Sequence, residues 1–171
     1  MKNFEFTIVA TRPDRVKELS EKLFEAGCDD ATISLQKGVA ILDFDREAKS
    51  FSHALLSALD NVTAAGAGVL HVEPDHLVSL SDIASRAGLT RAAVSNYAKG
   101  TRGKAFPTFP APVVRVTTDT PLWDWVDVAR WLFRQGKLSL TDLVQARIVR
   151  AENIKISKTK EGSRHPMPNA A

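Results

Sequence analysis

A single cysteine, Cys28, occurs among the 171 residues, so an internal disulfide is excluded. No apolar run approaches the roughly 18–20 residues that a membrane-spanning helix needs. The first fifteen residues lack an apolar core followed by small residues at a cleavage site, which a secretory signal peptide would show. A thiol without a partner suits a reducing compartment. We therefore expect a cytoplasmic protein.

Charge is distributed unevenly along the chain. Residues 1–80 contain 8 Lys/Arg and 13 Asp/Glu, a net charge of −5, whereas residues 81–171 contain 15 Lys/Arg and 7 Asp/Glu, a net charge of +8. The two values sum to the overall +3. An acidic half joined to a basic half predicts two modules, of which the basic one faces a polyanion.

The acidic half has the pattern of a small α/β module. Alternating apolar residues predict a first strand over residues 4–10, and apolar residues at helical spacing predict a helix that ends near Gly27. Two strands over residues 31–36 and 39–45 are joined by Lys37-Gly38 as a tight hairpin. A second helix over residues 51–62 and a strand over residues 69–72 complete the order βαββαβ. This order predicts a ferredoxin-like domain over residues 1–77.

Candidate chemical groups in this module do not form a convincing active site. Cys28 has no histidine nearby in sequence, although a thiolate nucleophile needs a base. Asp43 and Asp45 share a strand face and could bind a cation, but such a pair is more often a solvated strand end. His71 and His76 lack the spacing of a zinc site. We therefore expect no enzyme, no metal site and no cofactor.

A helix-turn-helix is predicted at about residues 80–99. Ser81 can cap a first short helix, Gly88 occupies a sharp turn, and Thr90 can cap a second helix. Ala84, Gly88 and Val94 stand in a 4-then-6 relation, which suits two helices that cross at a short turn. A helical pair without a DNA role can carry similar residues, so that alternative stays open.

The residues predicted to face outward from the second helix suit DNA. Arginine binds guanine and asparagine binds adenine through paired hydrogen bonds, while serine, threonine and lysine can contact the backbone. No acidic residue is present to repel phosphates. The predicted DNA-binding residues of the two helices and of the basic loop that follows are Thr90, Arg91, Ala92, Ser95, Asn96, Lys99, Arg102 and Lys104.

The loop over residues 99–104 is basic and contains two glycines, and a proline-rich extended segment follows it. A basic tip between extended arms predicts a wing that places Arg102 and Lys104 against phosphates. Thr120-Pro121 is predicted to open a further helix, which Gly136 ends. The three tryptophans at 123, 125 and 131 are predicted as core anchors rather than as a platform for stacking bases.

The basic half resembles a known group of proteins. The segments LSDIASRAGLTRAAVSNYAKGTRGKAFPTFPAPV and PLWDWVDVARWL, within residues 79–133, resemble the winged helix-turn-helix of MerR-type and AlpA/excisionase-type DNA-binding proteins. The resemblance implies a DNA-binding winged domain and a bacterial-type regulator. The earlier segment GCDDATISLQKGVAILDFDREA is similar to regulators that join such a domain to a small α/β domain. The long dimerising coiled coil of MerR regulators is absent, so the resemblance does not extend to their activation mechanism.

The sequence thus predicts an α+β protein in three parts. A ferredoxin-like domain (1–77) precedes a mostly α winged helix-turn-helix domain (78–152) and a basic flexible tail (153–171). Within the second domain, residues 139–150 predict an amphipathic helix that either completes the monomer core or packs on a second protomer. Because one recognition helix reads few base pairs, a homodimer on double-stranded DNA is the expected form.

Several alternatives remain at this point. The first module is assigned to dimerisation, to sensing a small-molecule effector or to binding a protein partner. An antitoxin-like protein, which holds a second protein and represses its own promoter, would retain DNA binding. A small-molecule-binding protein or enzyme, whose helical half is only a docking surface, would not. That last reading requires a perturbed Cys28 or a bound metal.

Overall fold

The computed structural model describes residues 1–11, 16–101 and 108–163, and the chain divides into two units. Unit 1 comprises Met1–Pro74 together with the chain from Ala151 onward, and unit 2 comprises Asp75–Arg150. Both helices and antiparallel strands are present, so the fold is α+β. No helix in the described ranges is long and apolar enough to cross a membrane.

Unit 1 contains a four-stranded antiparallel sheet and two helices in the predicted order βαββαβ. The elements are β1 (Lys2–Thr11), α1 (Val16–Glu25), β2 (Ala31–Gln36), β3 (Val39–Ala48), α2 (Phe51–Ala64) and β4 (Val69–Glu73). The strands lie in the order β2-β3-β1-β4, and every neighbouring pair is antiparallel. The long strands β1 and β3 therefore form the centre, while β2 and β4 are the two edges.

One face of this sheet forms the core of unit 1. In β1 and β3 the residues that pair as Phe6–Phe44 and Ile8–Leu42 are buried, and the Phe6 and Phe44 rings stack with centroids 5.2 Å apart. Phe51 at the start of α2 meets Phe6 edge-on. Buried and exposed residues alternate along β3, the period of two of a strand with one buried face.

The β2–β3 hairpin turns at Lys37-Gly38, as predicted. Gln36 pairs with Val39, so only two residues form the loop. Lys37 has φ of 48° and Gly38 has φ of 82°, and positive values at both loop positions favour a tight turn that matches the right-handed twist of the strands.

Unit 2 contains short helices around an aromatic core. Its elements are β5 (Leu77–Val78), α3 (Leu80–Ala87), α4 (Arg91–Ala98), β6 (Trp123–Asp124), α5 (Trp125–Arg134) and the first part of α6 (Leu140–Ser163). All three tryptophans are buried, so the prediction that they are core anchors is confirmed. In α6, Leu143 and Ala146 belong to this core, whereas Leu140 and Val144 are exposed.

The helix predicted to open at Thr120-Pro121 begins instead at Trp125. Leu122 forms an antiparallel bridge with Val114, and Trp123–Asp124 pairs with Leu77–Val78, so this stretch is extended. The Asp124 carboxylate then accepts a hydrogen bond from the Val126 N–H and caps α5. The cap-then-proline pattern failed here because strand pairing satisfies the backbone of residues 122–124.

The prediction of a flexible tail from residue 153 is wrong for residues 153–163, which continue α6. The Asn153 side chain is buried and spans the backbone of Val72 on β4, accepting from its N–H at 2.7 Å and donating to its C=O at 2.9 Å. The Lys160 ammonium donates to the Leu70 C=O at 2.8 Å. The polar sequence predicts a solvated tail, whereas the side chains of Asn153 and Lys160 bind the backbone of an edge strand. Residues 164–171 lie outside the described residues.

Candidate nucleic-acid interface

Helix α3 begins at a capping box that lies two residues before the predicted cap. The Asp82 N–H donates to Ser79 Oγ at 3.2 Å, and the Ser79 N–H and hydroxyl donate to the Asp82 carboxylate at 2.8 and 2.7 Å. The hydrogen bonds from Ser79, with a smaller contribution from the positive charge of Arg86, lower the pKa of Asp82. Ser81 lies within the first turn, so the predicted cap is wrong; the S-x-x-D spacing of residues 79–82 was the available signal.

The turn between α3 and α4 is formed as predicted around Gly88 and Thr90. Gly88 is left-handed, with φ of 62° and ψ of 32°, a conformation that glycine adopts without steric cost. The Leu89 N–H bonds back to the Ala84 C=O at 2.9 Å, which ends α3. Thr90 Oγ1 accepts from the Ala93 N–H at 3.2 Å and so caps α4. The two helices are thus joined through only a few residues.

The inner face of α4 is anchored by an aromatic cluster. Val94 is fully buried, and the Tyr97 ring lies 5.0 Å from the Trp131 ring, measured between centroids. Phe109 meets Trp131 edge-on at 5.1 Å and brings the chain beyond the basic loop back onto the same cluster. These contacts determine the rotation of α4 about its axis, and therefore which side chains face outward.

The outward residues of α4 form a polar and cationic surface. Five of the predicted site residues in this region are exposed and one, Ser95, is half-buried; the exposed ones are Thr90, Arg91, Ala92, Asn96 and Lys99. Arg91, Ser95 and Lys99 follow each other at intervals of four residues, so they line one side of the helix. Within the described ranges, none of the ion pairs involves Arg91 or Lys99. Arg102 and Lys104 lie outside the described residues.

The stretch that includes α4 and its flanks carries charge of one sign. Residues 83–118 contain six Lys/Arg and no Asp/Glu. The absence of carboxylates is therefore not confined to the outward face of α4 but holds over 36 consecutive residues. Such a run can be counted from the sequence alone, and a cationic stretch of this kind favours anionic over cationic partners.

An antiparallel hairpin lies later in the chain than the predicted wing. The Leu122 N–H donates to the Val114 C=O at 2.9 Å, and the Val113 N–H donates to the Leu122 C=O at 2.8 Å. Arg115 has φ of 54° at the turn, and residues 115–120 are all exposed. Residues 108–112 form no strand, and strand pairing within the predicted extended segment occurs only at Val113 and Val114 among its described residues. The sequence does not predict this hairpin, because Val114 and Leu122 pair across an irregular turn that has no sequence signature.

In unit 1, the residues on either side of Cys28 are linked to β3 by hydrogen bonds from the Arg46 side chain. The Arg46 guanidinium donates to both oxygens of Asp30, at 2.6 and 2.8 Å, and to the Gly27 C=O at 2.7 Å. Burial raises the pKa of the Cys28 thiol, and Arg46 opposes this only in part. A thiol of that kind is the reverse of an activated nucleophile. The pKa of Cys28 is thus shifted away from the range of an activated thiolate.

The carboxylates of β1 and β3 lie on the sheet face opposite the core. Asp45 is opposite Glu5, and Asp43 accepts a hydrogen bond from Thr7 Oγ1 at 2.7 Å. His71 Nε2 lies 3.3 Å from the Glu73 carboxylate on β4. Within the described ranges, no group of three or more His, Cys, Asp or Glu side chains is arranged to hold a metal ion.

A comparison of the chain with protein-family models, with curated proteins and with solved structures found no match.

Proposed function

We propose that this protein is a sequence-specific regulator that binds double-stranded DNA as a dimer, with α4 as the recognition helix. The observation that carries the proposal is the outward face of α4. It exposes one arginine, one asparagine and one lysine without any carboxylate, while Val94 and Tyr97 anchor the opposite face. A structural helix pair does not need this combination, whereas a DNA reader does.

The dimensions of α4 suit the major groove. An α-helix with its side chains is about 10–12 Å across, and the groove is about 12 Å wide and admits one such helix. Arg91 in the first turn and Asn96 about 1.4 turns later would reach base edges, where they would read guanine and adenine. Thr90, Ser95 and Lys99 would bind phosphates and hold the helix in register.

The proposed domain type is a winged helix-turn-helix of the MerR or AlpA/excisionase kind. The α3–turn–α4 pair supports this assignment, and the hairpin between Val113 and Leu122 is a better candidate for the wing than the loop over residues 99–104. Its tip carries Arg115, which would meet the DNA backbone. In unit 1, the strand order β2-β3-β1-β4 with antiparallel neighbours supports a ferredoxin-like domain.

The proposal is tested by selection of random-sequence duplexes with the pure protein, followed by sequencing. We expect a motif repeated with two-fold symmetry, because two recognition helices read two half-sites. The double variant Arg91→Ala/Asn96→Ala should lose the motif. Arg147→Ala serves as the matched control, since it removes one exposed cation from α6 and should retain the motif.

A salt series separates reading of bases from attraction to phosphates. Binding by the parent protein should weaken as salt rises, with a slope that reports the number of phosphate contacts. Loss of Asn96 alone should reduce discrimination at one base pair by about 1–3 kcal/mol and leave that slope unchanged. If no motif emerges and the double variant binds like the parent, the specific-regulator proposal is refuted.

A further inference from the structure

The two edges of the sheet in unit 1 differ in how their backbone groups are satisfied. At the β4 edge, Asn153 bonds to both the N–H and the C=O of Val72, and Lys160 bonds to the C=O of Leu70. The β2 edge has no such cover in the part of the chain that the structure describes. Unpaired strand edges are templates for another strand, and proteins usually block them.

The register of the β2–β3 pair identifies the free backbone groups. Gln36 pairs with Val39 across a two-residue turn, so residues 36, 34 and 32 exchange backbone hydrogen bonds with β3. The residues between them direct their backbone N–H and C=O groups away from β3. The Asp45 N–H bond to the Asp30 C=O, at 3.2 Å, continues the same alternation. The N–H and C=O groups of Ile33 and Leu35 therefore face away from the sheet.

Strand β2 carries none of the devices that usually protect an edge. Its sequence, ATISLQ, contains no charged residue and no proline, and its ladder with β3 shows no bulge. Leu35 is 37% exposed. An uncharged, regular edge with an exposed leucine is suited to pairing with another strand rather than to facing water.

We propose that β2 pairs antiparallel with β2 of a second copy of this chain, with the two-fold axis at Ser34. In this register Ile33 lies opposite Leu35 of the other copy, and each pair exchanges both of its N–H···O=C bonds. Every outward N–H of Ile33 and Leu35 is then satisfied. The two sheets join into one sheet of eight strands.

The charges at the ends of β2 are complementary in this arrangement. Lys37 follows the strand and Asp29 precedes it, and both side chains are exposed. In this register Lys37 of each copy lies opposite Ala31 of the other copy and diagonal to Asp29, within reach of a long side chain, at both ends of the interface. A parallel arrangement would instead place lysine beside lysine. The occupant that fits the edge best in both hydrogen bonding and charge is therefore the same strand.

This inference names the surface that forms the dimer required by the proposed function, and only its role in DNA reading rests on that proposal. The interface itself is tested without DNA. A covalently trapped dimer that selects no DNA motif would refute the proposed function and support the β2 interface. A two-fold DNA motif without trapping at β2 would support the proposed function and refute the β2 interface.

Disulfide trapping tests the register directly. In an antiparallel pair without mutual hydrogen bonds, Ser34 and its symmetry mate have Cα atoms about 4.5 Å apart, within disulfide range. Ser34→Cys should therefore become a covalent dimer under mild oxidation. Thr32→Cys is the matched control on the same strand face; its symmetry mate would be about 14 Å away, too far to bridge. The parent protein, whose Cys28 is buried, should stay monomeric on a denaturing gel.

Charge reversal provides a second readout by sedimentation or light scattering. Lys37→Glu places like charges together at both ends and should weaken the dimer by about tenfold at low salt. Asp29→Lys should do the same, and the double variant should recover the parent affinity. Equal trapping of the Ser34 and Thr32 variants, no trapping of either, or no recovery in the double variant would overturn the proposal.

Discussion

Replacement of Asn153 tests whether the helical end of the chain is part of unit 1. Asn153→Ala removes two hydrogen bonds to Val72, at 2.7 and 2.9 Å, from a residue that is only 4% exposed. Each bond contributes about 1 kcal/mol, and each abandoned peptide group costs about 1–3 kcal/mol if water cannot replace the amide. Alanine regains at most about 0.7 kcal/mol through its higher helix propensity. We expect a net loss of about 2–3 kcal/mol in the free energy of unfolding of unit 1.

The assay combines denaturant unfolding with hydrogen exchange at the Val72 amide. Ser157→Ala is the control, because Ser157 is exposed on the same part of α6 and alanine should leave stability equal or slightly higher. In Asn153→Ala the Val72 amide should exchange much faster than in the parent, whereas in the control it should not. A loss below about 0.5 kcal/mol together with an unchanged Val72 exchange rate would refute the reasoning, since surface substitutions have effects of that size.

Three further predictions concern unit 2. Gly88→Ala should destabilise unit 2 by about 1–2 kcal/mol because alanine is strained at φ of 62°. Gly88→Asn should cost less, because asparagine tolerates this left-handed conformation. Equal losses of stability for the two variants in thermal unfolding would contradict this reasoning. Asp124→Ala should lose more stability than Asp124→Asn, because asparagine retains the cap of α5 and loses only the 3.1 Å ion pair with Arg150. The reverse order of stability in denaturant unfolding would refute this prediction. The pKa of Asp82 is lowered in the folded state, so its stabilisation is present above the unfolded pKa of about 4 and is lost as pH falls through the folded value. The stability difference between the parent and Asp82→Asn should therefore shrink on acidification below about pH 4; a difference that stays constant down to pH 2 would show that the capping carboxylate is not responsible.

Local features of the chain were predictable because they depend on neighbouring residues. Alternating apolar residues over residues 4–10 identified the first strand, and Lys37-Gly38 identified a two-residue hairpin. Gly88 and Thr90 identified the turn and the cap between two helices. In each case the backbone preference and the burial pattern of a few residues agree with the final structure.

The rest was decided by contacts between residues far apart in sequence. From the sequence, Asn153 is expected to be a solvated residue of a polar tail. In the structure it binds the peptide group of Val72 on β4, which lies 81 residues earlier in the chain. Likewise, Thr120-Pro121 has the form of a helix start, but the strand pairs made by residues 122–124 delay the helix to Trp125. A buried hydrogen bond can outweigh a local preference of a few tenths of a kcal/mol. The sequence alone therefore determined the βαββαβ order and the position of the α3–turn–α4 pair. Only the tertiary structure decided where the hairpin lies and which sheet edge is covered, because those depend on which backbone groups come together.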